Sequence, residues 1–456
     1  MSTSEPRLIG PADPGWDAAR QAWNLAADQK PAYVAEPTDP AEVVAVLDYA
    51  RRAGLRVAPQ GTGHNAGAYA SLAGCILLTT RRMREVEVRP DERIARVGAG
   101  AIWAEVTEAT TPHGLYPMAG SSPDISTIGF CLGGGVAWLG RKYGLAANHV
   151  TAVELVLPDG EIRRVTATSD AELFWGLRGG GGNFGVVTAL EFRLLSIEVY
   201  AGMFLWPFER RDDVLDTWYK MTRTAPEELT TALRIMHWPV MEDGRPEFLS
   251  GRSLVVIDGA FIGSEADGAE AVAALRALEP EMDTWAPITA AELSHMHMDP
   301  EQPTPFASAG MVLGDLDDAG LRAFTDAVDL GSPLLFAGLR HTGGAFARQP
   351  EDSGALGALP GSYLMEGIGL VTAPELAEPI DIALRQLRAA MSRYDTGRVY
   401  ANFVDRPTDV STVYDEASFR RLRELRASVD PDGLMVASHP IPVGVDAKET
   451  VAQGMI

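Results

Sequence analysis

The sequence predicts an α+β fold, and three observations carry that expectation. Residues 1–198 mix β-hairpin signals with short helix signals. The same stretch holds three clusters of glycine. From about Tyr200 onward the glycine clusters thin out, and strand-like runs alternate with longer helices. That alternation is the pattern of a sheet covered by helices on one side.

The elements follow in order. Asp39 can cap a helix that Pro40 opens, Val43, Val44, Leu47 and Ala50 give it an apolar face, and Gly54 ends it. Residues 76–79 read as a buried strand. Residues 84–88 and 93–97 read as a hairpin around Arg89-Pro90-Asp91-Glu92, and Pro158-Asp159-Gly160 marks a second. A short helix is expected over 170–177 and a strand over 186–194. Further on, strands are expected at 254–261, 334–339 and 363–371. Helices are expected at 265–278, 317–329 and 375–392, with Pro374 able to open the last. A final helix spans 416–429 and stops at Asp430-Pro431-Asp432-Gly433. No internal repeat or low-complexity tract interrupts the pattern.

Composition narrows the function. The chain has 456 residues, 46% hydrophobic and 22% charged, which is ample material for a globular core. A net charge of -23 argues against a nucleic-acid partner and an anionic membrane surface. The two cysteines, Cys75 and Cys131, cannot build a disulfide framework. The N-terminus lacks the basic-then-apolar pattern of a secretory signal, and no apolar run reaches membrane-spanning length. A cytoplasmic protein is expected.

The glycine clusters carry the chemistry. The first is Gln60-Gly61-Thr62-Gly63-His64-Asn65-Ala66-Gly67, after the strand-like run 55–59. The second is Gly129-Phe130-Cys131-Leu132-Gly133-Gly134-Gly135, and the third is Gly179-Gly180-Gly181-Gly182-Asn183-Phe184-Gly185. Loops with little side-chain bulk let backbone N–H groups approach a phosphate. Neither of the later two is a Walker pattern or a Rossmann fingerprint followed by an acidic ribose ligand. One such cluster alone reads as close backbone packing; three together favour a cofactor wrapped by backbone.

With these motifs the chain resembles the vanillyl-alcohol-oxidase superfamily of PCMH-type flavoproteins, in its berberine-bridge-enzyme-like branch. Within it the chain is similar to the bacterial 6-hydroxynicotine oxidase type. The likeness also rests on Gly120 to Pro123, Arg141-Lys142-Tyr143-Gly144-Leu145-Ala146, Leu173-Phe174-Trp175, Asn402-Phe403, Asp405 and Asp430-Pro431. The resemblance implies a two-subdomain FAD-binding domain over 1–198. It implies a substrate domain over 199–395, an antiparallel sheet covered by helices, and a segment over 396–456 that returns to the first domain. It also implies FAD bonded covalently to His64. The other cofactor-binding positions it implies are Gly61, Thr62, Gly63, Asn65 and Gly67; Gly120, Ser121, Ser122, Ile125 and Gly129; and Gly182, Asn183, Gly185, Val186 and Asn402.

Many relatives add a second tether through a cysteine. Ser122 stands at that position here, so a single link through His64 is expected. Cys131 reads as a small buried apolar residue. The resemblance makes Ile125 the position that gates oxygen; packing beneath the ring is its plainer role. For catalysis, Phe403 replaces a tyrosine of plant relatives and has no proton to exchange. The resemblance marks Arg340, ahead of Gly343-Gly344, and Tyr363. Leu364 replaces the usual glutamate after that tyrosine, while strand alternation puts Glu366 on the same face as Leu364. Glu366 is either a base of raised pKa or an ion-pair partner of Arg340. Arg340 is either that partner or the group that binds a substrate anion or developing oxyanion.

His295-Met296-His297 has strand-like alternation, though loop or solvent-facing histidines are the plainer reading, and no metal is expected. His113 and His149 read as structural. The implied function is oxidation of a small organic molecule by hydride transfer to flavin, with O₂ or another acceptor, in bacterial natural-product tailoring or catabolism. The competing functions are a flavin-dependent cyclisation or rearrangement without net redox turnover, and a non-catalytic nucleotide-binding module. Oligomeric state is not written in the sequence.

Overall fold

The computed structural model describes residues 5–240 and 249–443; the ends of the expected first and last segments, 1–4 and 444–456, lie outside the described residues. Three sheets organise the chain. Strands β1 (Leu8–Ile9), β2 (Tyr33–Ala35), β3 (Arg56–Gln60) and β4 (Cys75–Thr79) form a four-stranded sheet in the order β1-β2-β4-β3. β4 runs parallel to β2 and β3. Strands β5 (Val86–Arg89), β6 (Ile94–Gly98), β7 (Val150–Val156), β8 (Ile162–Thr166) and β9 (Val186–Arg193) form an antiparallel five-stranded sheet, β5-β6-β9-β7-β8. These are the two expected subdomains.

The third sheet has eight strands: β10 (Val199–Pro207), β11 (Leu229–His237), β12 (Ser253–Ile262), β13 (Met282–Asp283), β14 (Ala286–Pro287), β15 (Phe306–Leu313), β16 (Phe336–His341) and β17 (Tyr363–Leu370). Its order is β13-β10-β12-β11-β16-β17-β15, with β14 also on β10, and its pairs are antiparallel. Helices Arg211–Thr222, Asp318–Ala327 and Ala377–Met391 cover one face, with Trp218, Phe324, Leu384 and Leu387 in a shared core. The other face turns toward the first domain.

Local chemistry explains the expected elements. Asp39 accepts from Glu42 N and caps helix Pro40–Ala53, which ends at Gly54 with φ 66°. Asp170 caps Ala171–Leu177 from a left-handed conformation at φ 56°. The helix expected at 265–278 breaks: Glu265–Ala271 and Ala273–Arg276 are separate, with Val272 at φ -106°. The alternation of His295-Met296-His297 belongs to no strand. His295 ends helix Ala290–His295, capped at its start by Thr289.

The C-terminal segment docks beside β3. Val57 N donates to Leu434 O, and Val436 N donates to Val57 O, both at 2.8 Å. Asp430 shapes that turn, accepting from Leu434 N and Met435 N at 2.9 Å and pairing with Arg426 at 2.9 Å. Both side chains are buried. Removing one partner of such a pair strands the other charge out of water. Asp430→Ala should therefore lower the unfolding free energy by about 3–5 kcal/mol in denaturant titration. A loss below about 1 kcal/mol would show that the segment is held by other contacts.

Candidate functional site

The glycine clusters converge. A cavity of about 330 Å³ lies between the two domains, lined by Gly61, Gly63, Gly129, Gly133, Gly185 and the run Gly179 to Gly182. Small-molecule sites occupy roughly 300–1,000 Å³. Several of these glycines are sterically required. A Cβ on Gly61 would lie 2.5 Å from Ser126 Oγ, and one on Gly133 would collide with Asn402 Oδ1. Thr62, His64, Asn65, Ser121, Ser122, Ile125 and Asn402 also line the cavity.

Four expected cofactor-binding residues shape the wall from behind. Gly67 packs on the Asp405 carbonyl, and a Cβ on Gly120 would meet the Phe130 ring at 2.8 Å. Asn183 is 1% exposed and spent on backbone: its Nδ2 donates to Gly180 O and His439 O, and its Oδ1 accepts from Ile441 N. Val186 points into the core, and strand alternation brings Val187 to the cavity instead.

The register of the large sheet builds the opposite wall. Arg340 lies opposite Ala232 and Leu364, and Ala232 opposite Asp258. One pleat along, Gly338 lies opposite both Arg234 and Glu366. Directly opposed residues share a face, so Asp258, Arg234, Arg340 and Glu366 all project from the cavity side. Glycine at 338 leaves room between the long side chains; a Cβ there would lie 3.1 Å from Arg234 Cγ. Tyr363 falls on the other face, which corrects its expected place in the site. Its hydroxyl is 2.7 Å from Thr222 Oγ1, and its ring packs near Trp218 in the helix-covered core. An offset of one residue in a strand reverses the face.

Arg340 is buried, its guanidinium 4.8 Å from the Trp138 ring and 5.9 Å from that of Phe403, and its Nη2 donates to Ser121 Oγ at 3.1 Å. Burial lowers its pKa, partly offset by Asp258 and Glu366. Burial pushes the Glu366 carboxyl up to about 7 despite Arg340, with Asp299 and Asp405 adding to the rise. Asp258 is fully buried. Burial disfavours its charge, but Arg234 at 2.6 Å and His297 at 2.5 Å outweigh that and hold it down to about 2.

Sequence reasoning missed this cluster. His297, dismissed as a bland histidine, lines the cavity with Nδ1 on Asp258, whereas His295 pairs with Glu301 at the surface. Asp299, two residues on, accepts a hydrogen bond from the hydroxyl of Ser122, the serine at the second-tether position. Trp23, Asp124, Tyr400 and His439 line the cavity as well. Their signals were absent because each acquires meaning only from partners far along the chain. Cys131 is buried, outside the cavity lining, and its thiol is pushed up to about 12 by burial. Among the described residues no cluster of His, Cys, Asp or Glu could hold a metal ion, and no helix is long and apolar enough to cross a membrane.

A backbone cradle of glycines, with a histidine and buried carboxylates at its edge, is suited to a dinucleotide whose phosphates need close N–H groups. The residues present fit FAD: on the cavity lining a Cβ at Gly182 would meet nothing within 4 Å, so its backbone is open to a ligand, and His64 Nε2 is a buried polar atom without a hydrogen-bond partner. The site is thus that of a flavin-nucleotide-binding protein. Residues 31–166 match the FAD binding domain family. The chain is 33% identical over 201 residues to (R)-6-hydroxynicotine oxidase of Paenarthrobacter nicotinovorans, which covers 44% of each chain. It is 25% identical over 459 residues to the uncharacterized FAD-linked oxidoreductase YvdP of Bacillus subtilis (strain 168), covering 96% of this chain and 98% of that one. The first curated matches span about half of those relatives' lengths. The fold is that of wild-type BBE-like 1 of Physcomitrella patens, with a TM-score of 0.82, 20% identity and coverage of 96% and 97% of the two chains. Residues 31–166 thus carry an FAD binding domain, and the whole described chain shares the fold of these solved structures.

Glu366 gives the site a measurable signature. Its pKa rises from 4.5 to about 7 on folding. Between those values the folded chain keeps a proton that the unfolded chain has released, so this group makes stability fall as pH rises across that window. Glu366→Gln should remove that part of the fall, read from denaturant midpoints at pH values across the window. An unchanged pH slope would refute the perturbed carboxyl.

Proposed function

We propose that the chain is an FAD-dependent oxidoreductase that oxidises a small organic molecule, with FAD held by one covalent link through His64. The observation that carries this reading is Glu366. Its carboxyl lies on the cavity wall opposite the glycine loops, and no described residue forms an ion pair or hydrogen bond with it. Bound FAD supplies a two-electron acceptor that O₂ or another oxidant regenerates.

The chain's own residues supply the rest. Glu366, with a pKa near neutrality, accepts the proton that a substrate O–H, N–H or C–H loses on oxidation. Arg340, held in place by Trp138, Phe403 and Ser121, binds an anionic group or a developing oxyanion. Phe336, Ile368 and Leu370 give the wall its apolar surface and exclude water. Ile125 lines the cavity at the position assigned to oxygen gating. Ser122, engaged by Asp299, leaves His64 as the single tether. We read 1–198 with 396–456 as the FAD-binding part and 199–395 as the substrate part. The setting we propose is a bacterial cytoplasm, in natural-product tailoring or catabolism.

An anaerobic screen of alcohols, sugars, amines and phenols that watches the flavin spectrum tests the function. Bleaching by one class is expected; a product isomeric with its substrate, with no bleaching, would indicate rearrangement instead. With a bleaching substrate, Glu366→Gln should slow reduction by roughly 10²–10⁴-fold and abolish the rise of rate with pH through about 7. For the tether, acid precipitation should leave flavin colour in the wild-type pellet and release it from His64→Ala. Colour retained in the His64→Ala pellet would overturn His64 as the sole link.

A further inference from the structure

The environment of His64 is unusually specific for a loop histidine. Trp23 stacks on the ring, with centroids 4.2 Å apart and planes inclined by 15°, and so sets the ring plane. Thr62 Oγ1 is 2.8 Å from Nδ1. On the opposite edge, Nε2 is 3.5 Å from Asp124 Oδ1. His64 Nε2 and both carboxylate oxygens of Asp124 are buried, and none has a hydrogen-bond partner.

Three unpartnered polar atoms in one buried spot are costly unless they serve each other. Two loops bring them together: the segment after β3 carries His64, and the turn before helix Thr127–Leu132 carries Asp124. Gly61 permits the approach, since a side chain there would meet Ser126. Trp23 is part of the same arrangement, because its backbone N–H donates to Thr62 O at 3.0 Å.

The chemistry of the two partners fixes the tautomer. An ionised carboxylate only accepts hydrogen bonds, so Asp124 favours a proton on Nε2. Nδ1 then carries the lone pair. The Thr62 hydroxyl can donate to it, while Thr62 Oγ1 accepts from Ser126 N at 3.4 Å. The ring is thus held with an unprotonated Nδ1, which the Thr62 hydroxyl must release before it can bond to carbon, and a proton acceptor on its far edge. This pairing of an oriented imidazole with a carboxylate is the general arrangement for activating a nucleophile.

We propose that Asp124 is the positioning residue for covalent flavin attachment, orienting His64 and accepting its Nε2 proton as Nδ1 bonds to the flavin methyl carbon. The proposal rests on the reading that His64 carries FAD. The balance is complete with dioxygen as oxidant. A bond forms between Nδ1 and the methyl carbon, and one methyl C–H breaks. The Nε2 proton passes to Asp124 and on to solvent, and the methyl hydrogen leaves as a proton. Two electrons reach dioxygen, which takes up two protons and departs as hydrogen peroxide.

The test follows attachment itself and needs no substrate. The full chain is produced in riboflavin-limited cells and incubated with FAD in air. Covalent flavin is read over time from the acid-precipitated pellet and from intact mass, and total bound flavin from absorbance before precipitation. At equal total occupancy, Asp124→Asn should slow covalent incorporation by roughly 10²-fold or more. Asp124→Glu should recover part of the rate, and formate should accelerate Asp124→Ala, which a purely structural role would not produce. Wild-type incorporation in Asp124→Asn would overturn the proposal, as would parallel loss of total and covalent flavin without formate rescue. A wild-type chain that binds FAD but never links it would refute the covalent reading itself, and the role of Asp124 with it.

Discussion

Asp258 has no solvent exposure, and its charge is kept by Arg234 and His297, which contact the same oxygen, with Arg340 adding attraction from further off. Much of the cavity wall depends on this buried pairing. A carboxylate in such a place would be expelled or protonated without its partners. With them, it anchors His297, and through His297 the short loop that carries Asp299 across to Ser122 on the other domain. The pair also leaves Arg340 and Glu366, their neighbours on the same sheet face, in a poorly solvated environment. That environment raises the Glu366 carboxyl toward neutrality.

The facing wall is built on a different principle. There the chain removes side chains rather than pairing charges. At Gly61 and Gly133 a Cβ would occupy space held by Ser126 or Asn402. Asn183 and Asp430 then spend their polar atoms on backbone groups of the returning C-terminal segment. This keeps the glycine walls from collapsing and supplies His439 as a cavity residue. Burial holds His439 down to about 4, so it stays neutral and donates from Nε2 to Ala401 O. One wall is therefore rigid backbone suited to a cofactor, and the other is a set of side chains suited to a reacting molecule.

Elements governed by neighbouring residues were legible. The Asp39 cap, the Gly54 stop and both turn-bounded hairpins occur where local chemistry places them. β10 and β11 were not expected, because nearly every residue in them is buried on both faces. Without period-two alternation a strand loses its clearest signal. In the site, His64, Arg340 and Glu366 were found, whereas Asp124, Asp258, His297 and Asp299 were not. Tyr363 was drawn in by its neighbours and turned away by the pleat.

By itself, the sequence determined an α+β chain with three glycine loops, a histidine in the first of them, and a composition for a globular core. Those features depend on caps, turns and spacing that act over a few residues. Only the tertiary structure decided which side chains share the cavity. Arg340 meets Ser121 across 219 positions and Ser122 meets Asp299 across 177. Sheet register and domain packing set such meetings, and they also set the burial that gives Glu366 and Asp258 opposite pKa shifts. Chemistry that depends on desolvation by distant partners has no local pattern to announce it.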